Sequence, residues 1–383
     1  MLSLIFLLIG LLAFFASLVP IGIILQLYFK NRNSPVLRNP YSVAVIVPCK
    51  GLGKNLEANL RSICSQEYPN YQVVFVLDSS EDPAYPVVEA VANSVRNAGI
   101  VYSEKIPEAS GKIGALISGV KSAGSVEVYA FADSDILPHP QWLAHLVAGL
   151  SEEKVGATTG FRWFFPHNLS TALISAWNMA SMVTLFHPLS NCAWGGSTAI
   201  KKSLFDSLHI ESKWRTGFSD DLILTEAVKK AGYSIRFIPS CISESPVEID
   251  LRKFLRWGTG QFTWVHWYNP SIWISSLFGF LILQIIILSG IVLPFIGYII
   301  PGLLMVSPLV FEMIYGIIGF FALRSLMKYP KEKFGSAISY FFLMPVINFL
   351  FAYHMILSGL KTQIKWGGKY YTKKDALKKI RSR

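Results

Sequence analysis

Charge is what this 383-residue chain has least of. Asp, Glu, Lys and Arg make up 15% of it, against 52% hydrophobic residues. About a quarter charged is usual for a soluble globular domain, so the deficit argues against a purely soluble protein. The hydrophobic content excludes disorder. Cysteine is also scarce. Cys49, Cys64, Cys192 and Cys241 show no CxxC spacing, so neither a disulfide framework nor a zinc site is indicated. No internal repeat or low-complexity segment interrupts the chain.

The apolar residues are segregated. Residues 1–29 hold no charged side chain, and their run LIFLLIGLLAFFASLVPIGIILQLYF exceeds the roughly 20 residues a helix needs to span a bilayer. A signal peptide is the alternative, but the apolar core is too long and no basic stretch precedes it. Lys30, Arg32 and Arg38 follow at once, which by the positive-inside bias puts the downstream domain in the cytoplasm. From Trp257 to Phe311 there is again no Asp, Glu, Lys or Arg. With Pro301-Gly302 as divider, two spans are expected, about 272–299 and 303–323, within a membrane region 271–360. Uncharged segment 335–360 is then a third span, or a re-entrant element broken near Pro345 and Asn348. A third span would carry the basic tail 361–383, with nine Lys/Arg, outside. A return to the cytoplasmic side is therefore preferred.

Residues 30–250 read as an α/β domain. Val/Ile-rich runs (VAVIVP at 43–48, YQVVFVLD at 71–78, VEVYAFADSD at 126–135) alternate with helical stretches, as buried parallel strands do. In such a sheet ligands bind beyond the carboxyl ends of the strands. Asp78 ends one strand, and Asp133 and Asp135 end another. Paired hard oxygens suit Mg²⁺ or Mn²⁺ carrying substrate phosphates, although a surface turn uses the same residues. Asp220-Asp221 precede an amphipathic helix, where acids favour the macrodipole or where one of them serves as a general base. Lys112 is either a solvated helix residue or a diphosphate contact. Trp194-Gly195-Gly196-Ser197 suggests a tight turn that brings backbone near a ligand. At the membrane junction, 251–270, Arg256-Trp257 opens a Trp-rich stretch. Interfacial anchoring explains most of Trp264, His266, Trp267 and Tyr268. For Arg256 and Trp257 the alternatives are a pyrophosphate contact and an acceptor wall.

Taken in order, these elements resemble the membrane-bound family 2 glycosyltransferases of GT-A fold, with ceramide glucosyltransferases and their bacterial relatives closest in layout. PCKG at 48–51, QEYPNYQVVFVLDSSEDPA at 66–84, ADSD at 132–135, and SDD with AGYSIRF carry the resemblance, together with IKWGGKYYT at 364–372. The (Q/R)xxRW motif appears as Lys253-Phe254-Leu255-Arg256-Trp257. Lys253 departs from it, with Arg252 one residue earlier.

The resemblance implies a Rossmann-like GT-A cytosolic domain and an inverting hexosyltransferase using a UDP-sugar. Asp78, with Lys50 and Gly51, would bind the nucleoside, and Asp133 the nucleotide or sugar. Asp135 would hold Mg²⁺ or Mn²⁺, Asp221 would be the base, Arg256 would meet the leaving diphosphate, and Trp257 would bound the acceptor. The acceptor expected from the membrane location is a lipid hydroxyl, on ceramide, a diacylglycerol or a hopanoid-like polyol. A bacterial plasma membrane and a eukaryotic endomembrane both suit such an enzyme. A processive polysaccharide synthase shares the Asp motifs but usually has more spans. A non-catalytic nucleotide-binding scaffold would have no need of Asp221. The net charge of +11 sits in the tail and juxtamembrane loops, so no nucleic-acid partner is expected.

Overall fold

The computed structural model describes residues 1–36, 40–107, 109–187, 190–246, 249–366 and 369–373. Arg38, Gly367-Gly368 of the tail motif and the last ten residues of the basic tail, 374–383, lie outside the described residues.

Helix α1 (Leu2–Asn31) leads into a seven-stranded sheet. Its strands are β1 (Val43–Pro48), β2 (Tyr71–Leu77), β3 (Ala98–Tyr102), β4 (Val128–Ala132), β5 (Val155–Trp163), β6 (Ser197–Lys201) and β7 (Ser234–Glu244), in the order β3-β2-β1-β4-β6-β5-β7. β1, β2, β3 and β4 run parallel, and β6 is antiparallel to both neighbours. β1 and β4 are apolar along their length because both faces are covered. One face meets Leu60, Ile63, Val88, Trp142 and Leu146, and the other meets Ile113, Leu116, Ile117 and Trp214. The three parallel strands β1, β2 and β4 therefore end on one rim, which holds Lys50, Asp78, Asp133 and Asp135.

Further helices position the rim. α2 (Gly111–Ser122) is capped by Ser110, whose side chain accepts from the Ile113 amide. α3 (Leu169–Phe186) starts on an Asn168–Thr171 capping box. α4 (Asp220–Lys230) carries its two acids in its first turn. α5 (Leu251–Tyr268) is capped by Asp250, which accepts from the Lys253 amide at 2.7 Å. α6 (Pro270–Val292), α7 (Ile299–Leu326) and α8 (Ala337–Gly359) complete the apolar block, and a hairpin of β8 (Gln363–Trp366) and β9 (Lys369–Thr372) follows.

Among the described residues, four helices are long and apolar enough to cross a membrane: α1, α6, α7 and α8. α1 packs along α7 at Gly10, where an added Cβ would lie 2.7 Å from Leu304 Cβ, and through Phe14 on Phe311. The turn between α6 and α7 falls at residues 293–298, earlier than the Pro301-Gly302 pair. Gly297 makes it at φ +92°, a left-handed conformation that glycine adopts without strain. Pro301 sits in the first turn of α7, where its missing N–H costs no hydrogen bond.

Segment 335–360 is not broken at Pro345. That residue lies inside the continuous α8. Yet both ends of α8 come back to the α/β domain. Before its start, Lys333 pairs with Glu244 at 2.6 Å and Phe334 packs on Phe165; in its first turn, Tyr340 hydrogen-bonds Ser175 at 2.7 Å. Near its end, His354 hydrogen-bonds Thr259 at 2.9 Å, and the hairpin beyond places Tyr371 on Phe218. It also meets the other long helices along its length, through Tyr340 on Phe320 of α7 near its start and Ser358, which accepts from Trp273 of α6 at 2.8 Å, near its end. At its middle, Gln284 donates to Asn348 at 2.8 Å, and Asn348 donates to Glu312.

Candidate active site

The loop after β1 turns at Gly51, whose φ of +67° suits glycine. Its amide donates to Asp82 Oδ1 at 2.8 Å, and that oxygen also accepts from the Ala84 amide at 2.9 Å. The turn aims Lys50 at Asp78, with Nζ 2.6 Å from Oδ2. Both side chains are about half exposed, so the pair adds little stability and is open to a ligand.

Deeper in the cleft, Lys112 lies in the first turn of α2, where the macrodipole disfavours a cation. Two carboxylates hold it: Asp133 Oδ1 at 2.7 Å and Asp220 Oδ2 at 3.4 Å. Burial works against its charge, but Asp133 and Asp220 outweigh that and keep the ammonium well above its ordinary pKa. Asp220 is 8% exposed, and burial pushes its carboxyl up to about 6 despite Lys112. Gly195 and Gly196 are required here by close approach. A Cβ on Gly195 would run into Asp220 Oδ2, and one on Gly196 into the Trp194 ring.

Asp135 stands beside Asp133. Its Oδ1 is buried without a hydrogen-bond partner among the described residues, and its Oδ2 is 4.0 Å from Arg162 Nη1. Burial and the Asp133 charge raise its pKa, against Arg162 and Lys112. An orphaned carboxylate oxygen beside a second acid is a donor set that fits a divalent cation. Among the described residues no three His, Cys, Asp or Glu side chains gather into a cage. The remaining ligands would be phosphate and water oxygens, as is usual for Mg²⁺.

Lys50, Gly51, Asp78, Lys112, Asp133 and Asp135 thus line one cavity of about 340 Å³, together with Arg162 and Tyr371. Asp221, next to Asp220 on α4, is not among the described residues that line this cavity and is less buried than Asp220. Its Oδ1 accepts from the Ser219 hydroxyl and from the Leu222 amide at 2.8 Å. Trp257 reaches the cavity through Arg162, and Arg256 opens onto an adjoining groove instead. Lys253 is engaged with Asp250 at 3.5 Å. Trp267, expected as an interfacial anchor, is fully buried under the hairpin with Ile364 and Tyr371.

Arg162 is absent from the sequence reading. It leaves β5 among the faces of Phe164, Trp194 and Trp257, at 5.8, 5.6 and 5.7 Å from the ring centres. Desolvated cation–π contacts of this kind are worth about 2 kcal/mol or more at best and hold the guanidinium without neutralising it. Its only sequence signal was an arginine inside the otherwise uncharged run VGATTGFRWFF. Tyr371 stands inside the tail motif at 364–372, whose sequence alone carries no site role.

Comparison with known proteins bears on this arrangement. A sequence model of glycosyl transferase family 21 matches residues 8–376. Ceramide glucosyltransferase 1 of Caenorhabditis elegans is 23% identical, covering 97% of this chain and 80% of its own. Glycosyltransferase AglE of Haloferax volcanii is 26% identical over 57% of this chain and 72% of its own. Among solved structures, the chain is similar to the mannosyltransferase PcManGT from Pyrobaculum calidifontis, in complex with GDP-Man and Mn²⁺. That likeness has 17% identity and a TM-score of 0.48, over 92% of this chain and 98% of the other. The expectation of a GT-A domain joined to membrane helices holds. The chain belongs to glycosyl transferase family 21, the ceramide glucosyltransferase family, and is a membrane glycosyltransferase.

Proposed function

We propose that the enzyme moves a hexose from a UDP-sugar to the hydroxyl of a membrane lipid, with inversion. The observation that carries this reading is the single cavity shared by Lys50, Asp78, Lys112, Asp133, Asp135 and Arg162, beside a helical block of membrane-spanning length.

Asp78 receives the nucleoside, and Lys50 and the Gly51 turn fix its loop. Asp133 orients the nucleotide or sugar while engaging Lys112. Asp135 with Asp133 would hold Mg²⁺ or Mn²⁺, which supplies Lewis-acid neutralisation of the diphosphate when bound. Arg162 and Lys112 present fixed positive charge to the same oxygens. Of the two acids on α4, Asp220 is committed to Lys112. Asp221, more open and with no cation paired to it among the described residues, takes the acceptor proton as the oxygen attacks the anomeric carbon. The Trp257 ring bounds the acceptor.

The return of both ends of α8 to the catalytic domain supports a topology in which α1, α6 and α7 cross the bilayer. α8 then lies along its inner face, dipping inward at Asn348. Catalytic domain and basic tail share the cytoplasmic side, in agreement with the charge bias.

Membranes holding the full chain, incubated with radiolabelled UDP- and GDP-sugars and resolved by lipid extraction, test the reading. A labelled lipid bearing one sugar is expected from a UDP-sugar. Label only in a long glycan, or only from a GDP-sugar, overturns it.

A further inference from the structure

The connection between α7 and α8 is seated against the loop that carries Asp135. α7 ends at Leu326 and α8 begins at Ala337. Between them, Lys333 pairs with Glu244 at 2.6 Å, and Phe334 packs on Phe165 with ring centres 5.1 Å apart. The third contact is Tyr329. Its hydroxyl donates to the Leu137 carbonyl at 2.7 Å and accepts from the Glu244 amide at 2.9 Å. Its ring meets Phe165 and His139 edge to face, at 5.4 and 6.3 Å between centres.

Both partners of that hydroxyl belong to the cavity's rim. β4 ends at Ala132, so the chain from Asp133 to Leu137 lies beyond the strand and depends on other ties for its position. Asn59 donates to the Ser134 carbonyl at 3.1 Å, and Ser245 donates to the Asp135 carbonyl at 3.0 Å. The Leu137 amide donates to the Glu244 carbonyl at 2.7 Å. Glu244 closes β7, opposite Trp163 of β5, and its neighbour Ser243 is opposite Arg162. Tyr329 thus pins, at one point, the chain bearing Asp135 and the strand pair bearing Arg162. Those two side chains are the ones that meet at 4.0 Å, and Asp135 Oδ1 is the buried carboxylate oxygen with no hydrogen-bond partner among the described residues.

We propose that Tyr329 is a positioning residue for Asp135: through its hydroxyl the helical block sets where that carboxylate stands relative to Arg162. The proposal goes beyond the transfer reading above and rests on it only in giving Asp135 a divalent cation to hold. A ligand carboxylate has to be kept within about 0.5 Å of its productive place by the groups around it. Tyr329 touches neither cation nor substrate. It acts through the backbone of Leu137 and Glu244, so seating of the α7–α8 connection on the domain and affinity of the site for metal are coupled.

The test uses the full chain in detergent. Tyr329→Phe keeps the ring and removes only the hydroxyl. Tyr340→Phe is the control, because it loses another hydroxyl tie between the helical block and the domain, to Ser175 at 2.7 Å, away from the acids. Thermal midpoints confirm that both variants fold. Mn²⁺ binding is read by electron paramagnetic resonance with UDP or GDP present, and backbone exchange over 134–137 by hydrogen–deuterium mass spectrometry. Tyr329→Phe is expected to weaken Mn²⁺ about tenfold, the scale on which partners of metal ligands act, and to speed exchange over 134–137. Tyr340→Phe should leave both unchanged. Unaltered Mn²⁺ affinity in Tyr329→Phe, or an equal loss in the two variants, overturns the proposal and leaves a structural tie only. If the parent chain binds no Mn²⁺, the metal reading fails by itself. Faster exchange over 134–137 confined to Tyr329→Phe then still supports the positioning of Asp135, and unchanged exchange overturns it.

Discussion

Arg162 lies over the ring of Trp257, with its guanidinium carbon 5.7 Å from the ring centre. The tryptophan comes from the membrane-junction helix and the arginine from the sheet, so one contact ties the groove to the cavity of Asp133 and Asp135. The same guanidinium stands 4.0 Å from Asp135.

Arg162→Ala should therefore reduce transfer by about 10²-fold or more, the usual scale for losing one electrostatic donor to developing charge. Arg162→Lys should recover little, because an ammonium cannot lie flat among three rings and fork toward a diphosphate. Steady-state transfer rates of both variants check this, with the thermal midpoint confirming that they fold.

The two neighbouring acids of α4 should separate cleanly. Asp221→Asn is expected to abolish transfer while leaving UDP-sugar binding nearly unchanged. Asp220→Asn removes one of the two carboxylates on Lys112 and should weaken donor binding. Calorimetric donor titration beside turnover measures the split. Lost binding with preserved transfer in Asp221→Asn would refute its role as base.

Excess chelator should stop turnover, and added Mg²⁺ or Mn²⁺ should restore it. Asp135→Asn should raise the metal concentration needed for half-activity, since a carboxylate is exchanged for a weaker neutral oxygen ligand. Full activity in chelator would remove the metal from the mechanism.

The close approach at Gly195 predicts a steric failure. Gly195→Ala puts a methyl group where Asp220 Oδ2 stands, so the acid must move off Lys112. Donor affinity is expected to fall at least as far as in Asp220→Asn. The more tolerant Gly99, on the edge strand β3 with open space around it, should accept alanine with donor affinity unchanged.

Stability should respond to acid through His139. Its Nδ1 accepts from the Gln141 amide at 3.1 Å, so the proton sits on Nε2, which donates to the Ser240 carbonyl at 2.5 Å. Burial pushes its pKa down to about 4, helped by His145 and Lys328 and opposed by the Ser240 carbonyl. An unfolded histidine titrates near 6.5, so below that pH the unfolded chain binds a proton that the native one refuses. The stabilisation is complete above about pH 6.5 and is lost as pH falls toward 4. His139→Gln should flatten part of that acid limb in melting midpoints taken between pH 7.5 and 4.5. His145, which is pushed down to about 4 mainly by burial, retains the rest.

Much of the cavity's rim was legible because strand ends mark themselves. A fully apolar run closing on Asp78, or on Asp133-Ser134-Asp135, places those acids beyond the carboxyl edge of a buried parallel sheet. Arg162 gave no comparable signal. It lies near the end of β5, on the far side of the sheet order from β1 and β2, and the aromatic faces around it show that it points inward. The path of 335–360 was illegible for another reason. A helix lying along a membrane face and one crossing it bury similar apolar area, and hydropathy records only that area. Trp267 misled in the same way, since an indole that anchors at the headgroups and one packed beneath a hairpin look alike in sequence.

Local pattern alone determined the segregation of span from domain, the alternation of strand and helix, and the ordered acids with Arg256-Trp257 after them. These depend on neighbours within a few residues, whose spacing is written into the chain. Tertiary structure alone decided that Lys112 meets Asp133 and Asp220, that Arg162 joins two cavities, and that α8 turns back to the domain. Those contacts pair residues brought together only when helices and sheet close around a common core.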